Sequence, residues 1–289
     1  MKMNFYKIIN PFNAPIHFLE SCESTMNEAK KLLQGNKNIS NGTLVITDFQ
    51  SKGRGRINNR KWVSSAGENL LFTVILNDIG HTRAVKQDTF VINPLLETIT
   101  LRVGLAVLDA ICCAVPGLKK ALRIKWPNDI MLNGKKVCGI ISECDCNNIL
   151  IGIGINVHQK NFFDMPDATS VENEMEACNM KASNADGEII AAELKNDLRF
   201  VILEKFLSNL FMETANNETP EKPLKPVQDR INDLLYRKDS TICFMAGSAE
   251  YPKQVNGILR GINEKGHIQI EVESGKCSTF AAGEIWHKV

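Results

Sequence analysis

No stretch of roughly 18 uninterrupted apolar residues occurs, so the sequence offers no membrane span. The N-terminal residues MKMNFYKIINPFNAPIHFLE lack the apolar core and small-residue cleavage site of a secretory signal, and a cytoplasmic protein is expected. No C-x-x-C is present and the 9 cysteines are odd in number, which argues against a closed disulfide framework and for reduced thiols. Cys144 and Cys146 form the only metal-like spacing, without the further ligands that bring structural zinc to about four. Charge of neither sign dominates. The 34 Lys and Arg face 33 Asp and Glu for a net +1, which excludes a surface built as a whole for nucleic acid but leaves room for a local basic site. No internal repeat is visible.

What is present is ordinary globular material. With 289 residues, 44% hydrophobic and 23% charged, the chain is long enough to bury a core without disulfides or metals. At a prior of about 150 residues per domain it predicts one large domain and a smaller one. Residues 21–33 read as a helix capped by Ser24 or Thr25. TLVITDF at 43–49 and NLLFTVIL at 69–76 read as strands, 98–115 as a buried helix, and 131–143 as a hairpin around Asn133-Gly134. ILIGIGINV at 149–157 is a strand interrupted by glycines. Residues 164–187 are acidic and aperiodic and predict a long surface loop; 188–211 predict a helix. The proline-bearing stretch 214–226 predicts a linker. Beyond it, short runs at 240–244, 254–262, 267–272 and 278–280 predict a small all-β module. The expected domains are therefore 1–227 and 228–289.

Four motifs carry chemistry. Gly53-Arg54-Gly55-Arg56, followed by Arg60-Lys61-Trp62, combines two glycines that permit tight folding with guanidinium groups that match phosphate or carboxylate. It is an anion clamp, an exposed basic turn or a nucleic-acid patch; lacking a Gly-Lys-Ser/Thr ending, it is not a Walker loop. Lys125-Trp126-Pro127-Asn128-Asp129 is either a simple turn after a strand or an oxygen-ligand pair for Mg²⁺. Lys136 enters an apolar strand, where it either meets an anion or sits at the solvent edge of the hairpin; Gly139 in that strand marks close backbone approach. Gly152-x-Gly154-x-Asn156 suits backbone packed on a ligand but lacks the third glycine of a dinucleotide fingerprint.

Taken together and in this order, the motifs resemble the biotin protein ligases. The resemblance rests on Glu23-Ser24-Thr25 before a helix, Gln50 ahead of GRGRINNRKW, KWPND at 125–129, KKVCGIISE at 135–143 and GIGIN at 152–156. Gly257, Gly261, Gly266 and Gly283-Glu284-Ile285 resemble, more loosely, the family's small terminal domain. The likeness runs from about Ile16 onward. It implies an α/β (α+β) fold: a class II aminoacyl-tRNA synthetase-like catalytic domain with a mixed sheet, followed by an SH3-like barrel.

It also implies ATP and biotin as substrates, with Mg²⁺, to form biotinyl-5′-AMP. The acyl group would then pass to a lysine of a biotin carboxyl carrier domain of a carboxylase. On that resemblance Arg54, Arg56 and Lys136 are the catalytic cations. The biotin side comprises Ser24, Thr25, Met26, Gln50, Arg54, Gly55, Arg56, Lys136, Gly139 and Ile140, with Ile141 as a further wall. The nucleotide side comprises Gly53, Arg56, Arg60, Trp62, Lys125, Asn128, Asp129, Lys136 and Asn156, with Asp129 beside the metal. Two departures stand out. The stretch from Arg56 to Arg60 is one residue longer than the commonest family spacing, and Met26 stands where many members have Asn, so that one biotin-side contact is either lost or shifted to Asn27. The stretch before Ile16 is too short for a helix-turn-helix, so no sequence-specific DNA binding is expected. A homodimer is compatible with the family. The competing readings are a lipoate or octanoate ligase of the same fold, a nucleic-acid-binding module, and a non-catalytic homologue.

Overall fold

NLLFTVILN has apolar side chains at both parities, so a strand made of it must be covered on two faces. In the computed structural model it is β3 (Asn69–Asn77), buried from Asn69 to Leu76 and an interior strand of a seven-stranded sheet. The structure describes residues 8–35, 38–57, 60–77, 94–145, 147–163, 165–178, 197–215, 224–248 and 250–286. The other strands are β1 (Ile16–Leu19), β2 (Thr43–Thr47), β4 (Leu122–Lys125), β5 (Asp129–Leu132), β6 (Lys135–Asp145) and β7 (Asn148–Asn156). Their order is β1-β2-β3-β7-β6-β5-β4; β1 and β2 are parallel and every other pair is antiparallel. The β5–β6 turn uses Asn133 and Gly134 at φ 49° and 79°, the two left-handed positions an Asn-Gly hairpin predicts.

Two helices, α2 (Pro94–Ala114) and α4 (Leu198–Ala215), cover one face, where Phe72 and Phe206 meet edge to face. The other face is covered by α1 (Thr25–Gly35), whose Met26 and Ala29 pack on Val45, Ile75 and Leu150. A second sheet of five antiparallel strands has the order β11-β10-β9-β8-β12, from β8 (Thr241–Ala246), β9 (Lys253–Ile262), β10 (Ile268–Glu271), β11 (Cys277–Phe280) and β12 (Gly283–Trp286). Its core joins the main core at Trp126. The indole Nε1 donates to Gly266 O at 2.9 Å and the ring lies 5.7 Å from Phe244. No described helix is long and apolar enough to cross a membrane.

Several expectations need correction. The expected loop at 164–187 contains α3 (Val171–Ala177), because Ser170 Oγ caps the helix by accepting from Asn173 N at 3.1 Å and acidic residues fill its first turn. Residues 164 and 179–187 lie outside the described residues. The helix expected at 188–211 starts at Leu198 and runs on to Ala215; 188–196 are outside the described residues. The expected linker at 214–226 is entered by α4 from one side and by α5 (Leu224–Asp233) from the other, and α5 runs through the expected boundary at 227/228. Strands β1 and β12, at the edges of the two sheets, were not foreseen.

Candidate active site

Strand alternation builds the floor of the site. Register places Gly154 between Leu71 and Gly139, and Gly152 between Thr73 and Ile141, all on the α1 face. The glycines leave that face bare, and two large side chains fill it. A Cβ on Gly152 would lie 2.8 Å from Met26 Sδ, and one on Gly154 would lie 2.6 Å from Trp62 Cε2. Trp62 also rests on Gly139, with Lys136 Nζ 5.8 Å from its ring centroid. Trp62 Nε1 is buried and has no hydrogen-bond partner among the described residues. A buried orphan donor in a cavity wall is a place for an acceptor brought by a ligand.

The polar end is built by α1 and the start of the glycine–arginine loop. Cys22 N donates to Phe49 O and Lys52 N to Glu23 O, tying the two segments side by side. Gln50 Oε1 then accepts from Thr25 N at 2.8 Å and from Thr25 Oγ1 at 3.2 Å, and Thr73 Oγ1 donates to Thr25 Oγ1 at 2.8 Å. Ser24 occupies the N-cap position, its carbonyl accepting from Asn27 N and Glu28 N. Together with Met26, these residues close one end of a cavity of about 50 Å³ whose other lining includes Arg54, Arg56, Lys136 and Ile141.

The cationic end is a neutralised cluster. Arg54 Nη2 is 3.3 Å from Glu143 Oε1, and Lys30 Nζ is 2.6 Å from the other oxygen, Oε2. Lys136 Nζ is 2.7 Å from Asp129 Oδ1. Arg56 Nη2 donates to Gly283 O at 3.0 Å, and Arg60 Nη1 pairs with Glu284 Oε1 at 2.7 Å. A second cavity, of about 100 Å³, lies among Arg60, Lys125, Asp129, Lys136 and Glu284. There burial pushes the Lys125 ammonium below its ordinary range, against the pull of Asp129. A third, of about 420 Å³, opens between the two sheets along Trp126, Ser142, His267 and Gly283. Arg56 and Asn128 line all three. Asn128 is fixed there by two bonds to one residue: its Nδ2 donates to Ile140 O at 2.9 Å and its carbonyl accepts from Ile140 N at 2.9 Å.

Other expected site residues are placed differently. Ile140 lines the small cavity, but alternation turns its side chain to the core face beside Gly104, leaving Ile141 as the apolar wall. Asn156 lines none of the three cavities; it is buried, and its Nδ2 donates to Thr169 O at 3.0 Å. Gly53 is not a lining residue but permits the loop's return, since a Cβ there would meet Trp62 O at 2.5 Å. Asp129 is engaged by Lys136, and among the described residues no group of three carboxylate, His or Cys side chains could cage a metal. Cys146 lies outside the described residues. The described cysteines are free thiols, and burial pushes the Cys138 thiol far up and Cys112 to about 11, so neither is an activated nucleophile. The carboxylates Glu143 and Glu284 were not foreseen as site residues, although both stand inside the quoted motifs.

Solved structures share this architecture. The biotin protein ligase of Aquifex aeolicus in complex with biotin and ATP superposes with a TM-score of 0.65 at 24% identity, covering 94% of this chain and 97% of that one. That likeness establishes the fold. The model of the biotin/lipoate A/B protein ligase family matches residues 18–159. The bifunctional ligase/repressor BirA of Bacillus spizizenii is 37% identical over 175 residues, 58% of this chain and 46% of that protein. The biotin–[acetyl-CoA-carboxylase] ligase of Mycobacterium tuberculosis is 26% identical over 253 residues, covering 85% and 79%. Over residues 18–159, just under half of its length, the chain resembles the biotin/lipoate A/B protein ligase family. It spans less than half the length of BirA from Bacillus spizizenii or Bacillus subtilis, at 46% and 38%.

Proposed function

We propose that the protein is a biotin protein ligase that activates biotin with MgATP and transfers it to a lysine of a biotin carboxyl carrier domain. The observation that carries this reading is Arg56 at the junction of three cavities, one ending in the Ser24–Thr25–Gln50 hydroxyls and amide, one lined by Lys125 and Lys136. Hydroxyls and an amide suit a neutral ureido head, and the cations suit a carboxylate meeting a phosphate. In the first step a biotin carboxylate oxygen attacks the α-phosphorus of ATP, forming the acyl phosphate bond as the bond to pyrophosphate breaks. Arg54, Arg56 and Lys136 exchange their carboxylate partners for substrate oxygens and stabilise the charge at phosphorus. In the second step the carrier's neutral lysine amine attacks the acyl carbon, the amide forms, AMP leaves and the amine loses its proton. Positioning and electrostatics carry both steps, without a protein nucleophile.

Magnesium arrives with the triphosphate as part of the substrate. Trp62, with its unpartnered Nε1, is the nucleotide-side aromatic, and the cavity between the two sheets is the approach for the carrier. The acceptor is a carrier domain of the acetyl-CoA or pyruvate carboxylase class. A cytoplasmic location and an optional homodimer belong to the same proposal. At about 50 Å³ the small cavity is below the roughly 300 Å³ of common ligand sites, so binding displaces Trp62 or the loop. Calorimetric titration of biotin with and without MgATP, followed by mass detection of bound biotinyl-AMP, tests the reading. No binding of biotin in either condition would refute it, and the same titration with lipoate and octanoate would then identify a sister acyl ligase.

A further inference from the structure

We infer that Glu284 is a positioning residue for the glycine–arginine loop, and that Arg60 fastens the loop to the second sheet rather than holding the nucleotide. Their pair joins residues 224 positions apart at 2.7 Å, and Glu284 is its less exposed member, at 18% against 56%. Glu284 Oε2 is 3.8 Å from Arg56 Nη2, and the neighbouring Gly283 O accepts from the same nitrogen at 3.0 Å. The two arginines are therefore held unequally. Arg60 has a short charge-assisted bond, whereas Arg56 has a neutral carbonyl and a more distant carboxylate. An entering anion draws Arg56 away at little cost while Arg60 stays fastened.

The mechanical links run both ways from this contact. Within the loop, Gly55 N donates to Arg60 O at 2.7 Å, Trp62 N donates to Gly53 O at 3.0 Å, and Arg54 bridges Lys61. A Cβ on Gly55 would lie 2.8 Å from Arg60 Cβ, so glycine is what lets Arg60 stand beside the residue preceding Arg56. Fixing Arg60 thus fixes the backbone that carries Arg56. On the other side, Glu284 pairs with Met245 in the β8–β12 ladder, and Gly283 has φ 145° with Phe244 Cζ 2.4 Å from where a Cβ would be. Phe244 is the ring on which Trp126 of the KWPND segment packs. The loop is thereby referenced, through Glu284 and Phe244, to the segment that supplies Asn128 and Asp129.

This inference rests on the ligase reading for its kinetic arm only. The full-length protein is compared with Glu284→Gln, Arg60→Gln and the double variant. In the ligand-free proteins, hydrogen exchange of the 53–62 segment is expected to quicken about tenfold in each single variant, with no further gain in the double. After loading with biotin and ATP, release of the adenylate is expected to quicken about tenfold with the same non-additivity, a coupling that general destabilisation would not produce. Unchanged exchange in Glu284→Gln would overturn the fastening. Quickened exchange with unchanged adenylate release would overturn the positioning role. If the parent protein forms no adenylate, the ligase reading fails, while exchange still decides whether Glu284 holds the loop.

Discussion

Gly154→Ala adds one methyl group at the place where the Trp62 indole rests. The glycine is not in the left-handed region, so alanine is acceptable to the backbone, and the effect arises from what the methyl meets. Its Cβ would lie 2.6 Å from Trp62 Cε2, 2.8 Å from Cζ2 and 3.0 Å from Nε1. Carbon atoms in contact sit about 3.5–4.0 Å apart, so the ring must rise by about 1 Å, and a rigid indole cannot swing one end aside. Misplacement on that scale costs up to about 100-fold in rate, or about 2.7 kcal/mol of transition-state stabilisation. The stability cost of overpacking is about 1–3 kcal/mol, against about 5–15 kcal/mol for a typical domain, so the protein stays folded. Gly139→Ala meets Trp62 Cζ3 at 3.1 Å and the flexible end of Lys136 at 3.2 Å, and is expected to cost only about 3- to 10-fold. Gly152→Ala meets Met26 Sδ and Cγ at 2.8 and 2.9 Å, and a thioether can rotate away, so that variant shifts the KM for biotin instead of the nucleotide step. Pyrophosphate release measured over ATP and biotin concentrations separates the three. Equal losses in all three, or parent-like ATP kinetics in Gly154→Ala, would refute the account of the glycine floor.

Gln50→Ala removes the acceptor that Thr25 N and Oγ1 share; it is expected to raise the Kd for biotin about 10-fold or more by calorimetry while costing about 1–3 kcal/mol in urea unfolding. Arg56→Ala removes the cation common to all three cavities and is expected to leak or lose biotinyl-AMP, read by mass detection after gel filtration; undiminished retention would count against its role. His158 lies between Asp197 at 3.0 Å and Glu172 at 2.8 Å. The Asp197 bond, opposed by burial and aided by Glu172, holds its pKa above the ordinary 6.5. A raised folded pKa gives stability that is complete below that ordinary value and lost as pH rises through the folded one. Chemical denaturation between about pH 5.5 and 8.5 should therefore show stability falling with pH, and His158→Gln should flatten that slope; parallel profiles would remove the histidine from the account.

Much of the site could be read along the chain, because its signals are local. Two glycines and two arginines within four residues announce a tight cationic loop, Asn133-Gly134 announces its turn, and period-two alternation around Gly152 and Gly154 announces a bare strand face. These depend on neighbours a few positions apart, where backbone sterics and turn chemistry act directly. The same locality explains the errors. Edge strands β1 and β12 have four residues each and little pattern, and a seven-residue helix capped by Ser170 lies within an acidic stretch whose composition resembles a loop.

The sequence alone carried the family resemblance, the cationic loop, the polar Ser24–Thr25–Gln50 group and the order of most elements. Tertiary structure alone decided which carboxylate answers each cation: Glu143 for Arg54, Asp129 for Lys136, Glu284 for Arg60. It also turned the Ile140 side chain into the core, took Asn156 out of the cavity lining, and set Trp62 and Met26 on the two glycines of β7. The physical reason is range. Propensity and spacing act over one or two turns of chain, whereas an ion pair between positions 60 and 284, or a cavity closed by an indole, exists only after strand register and sheet packing have brought distant segments to within a few ångströms.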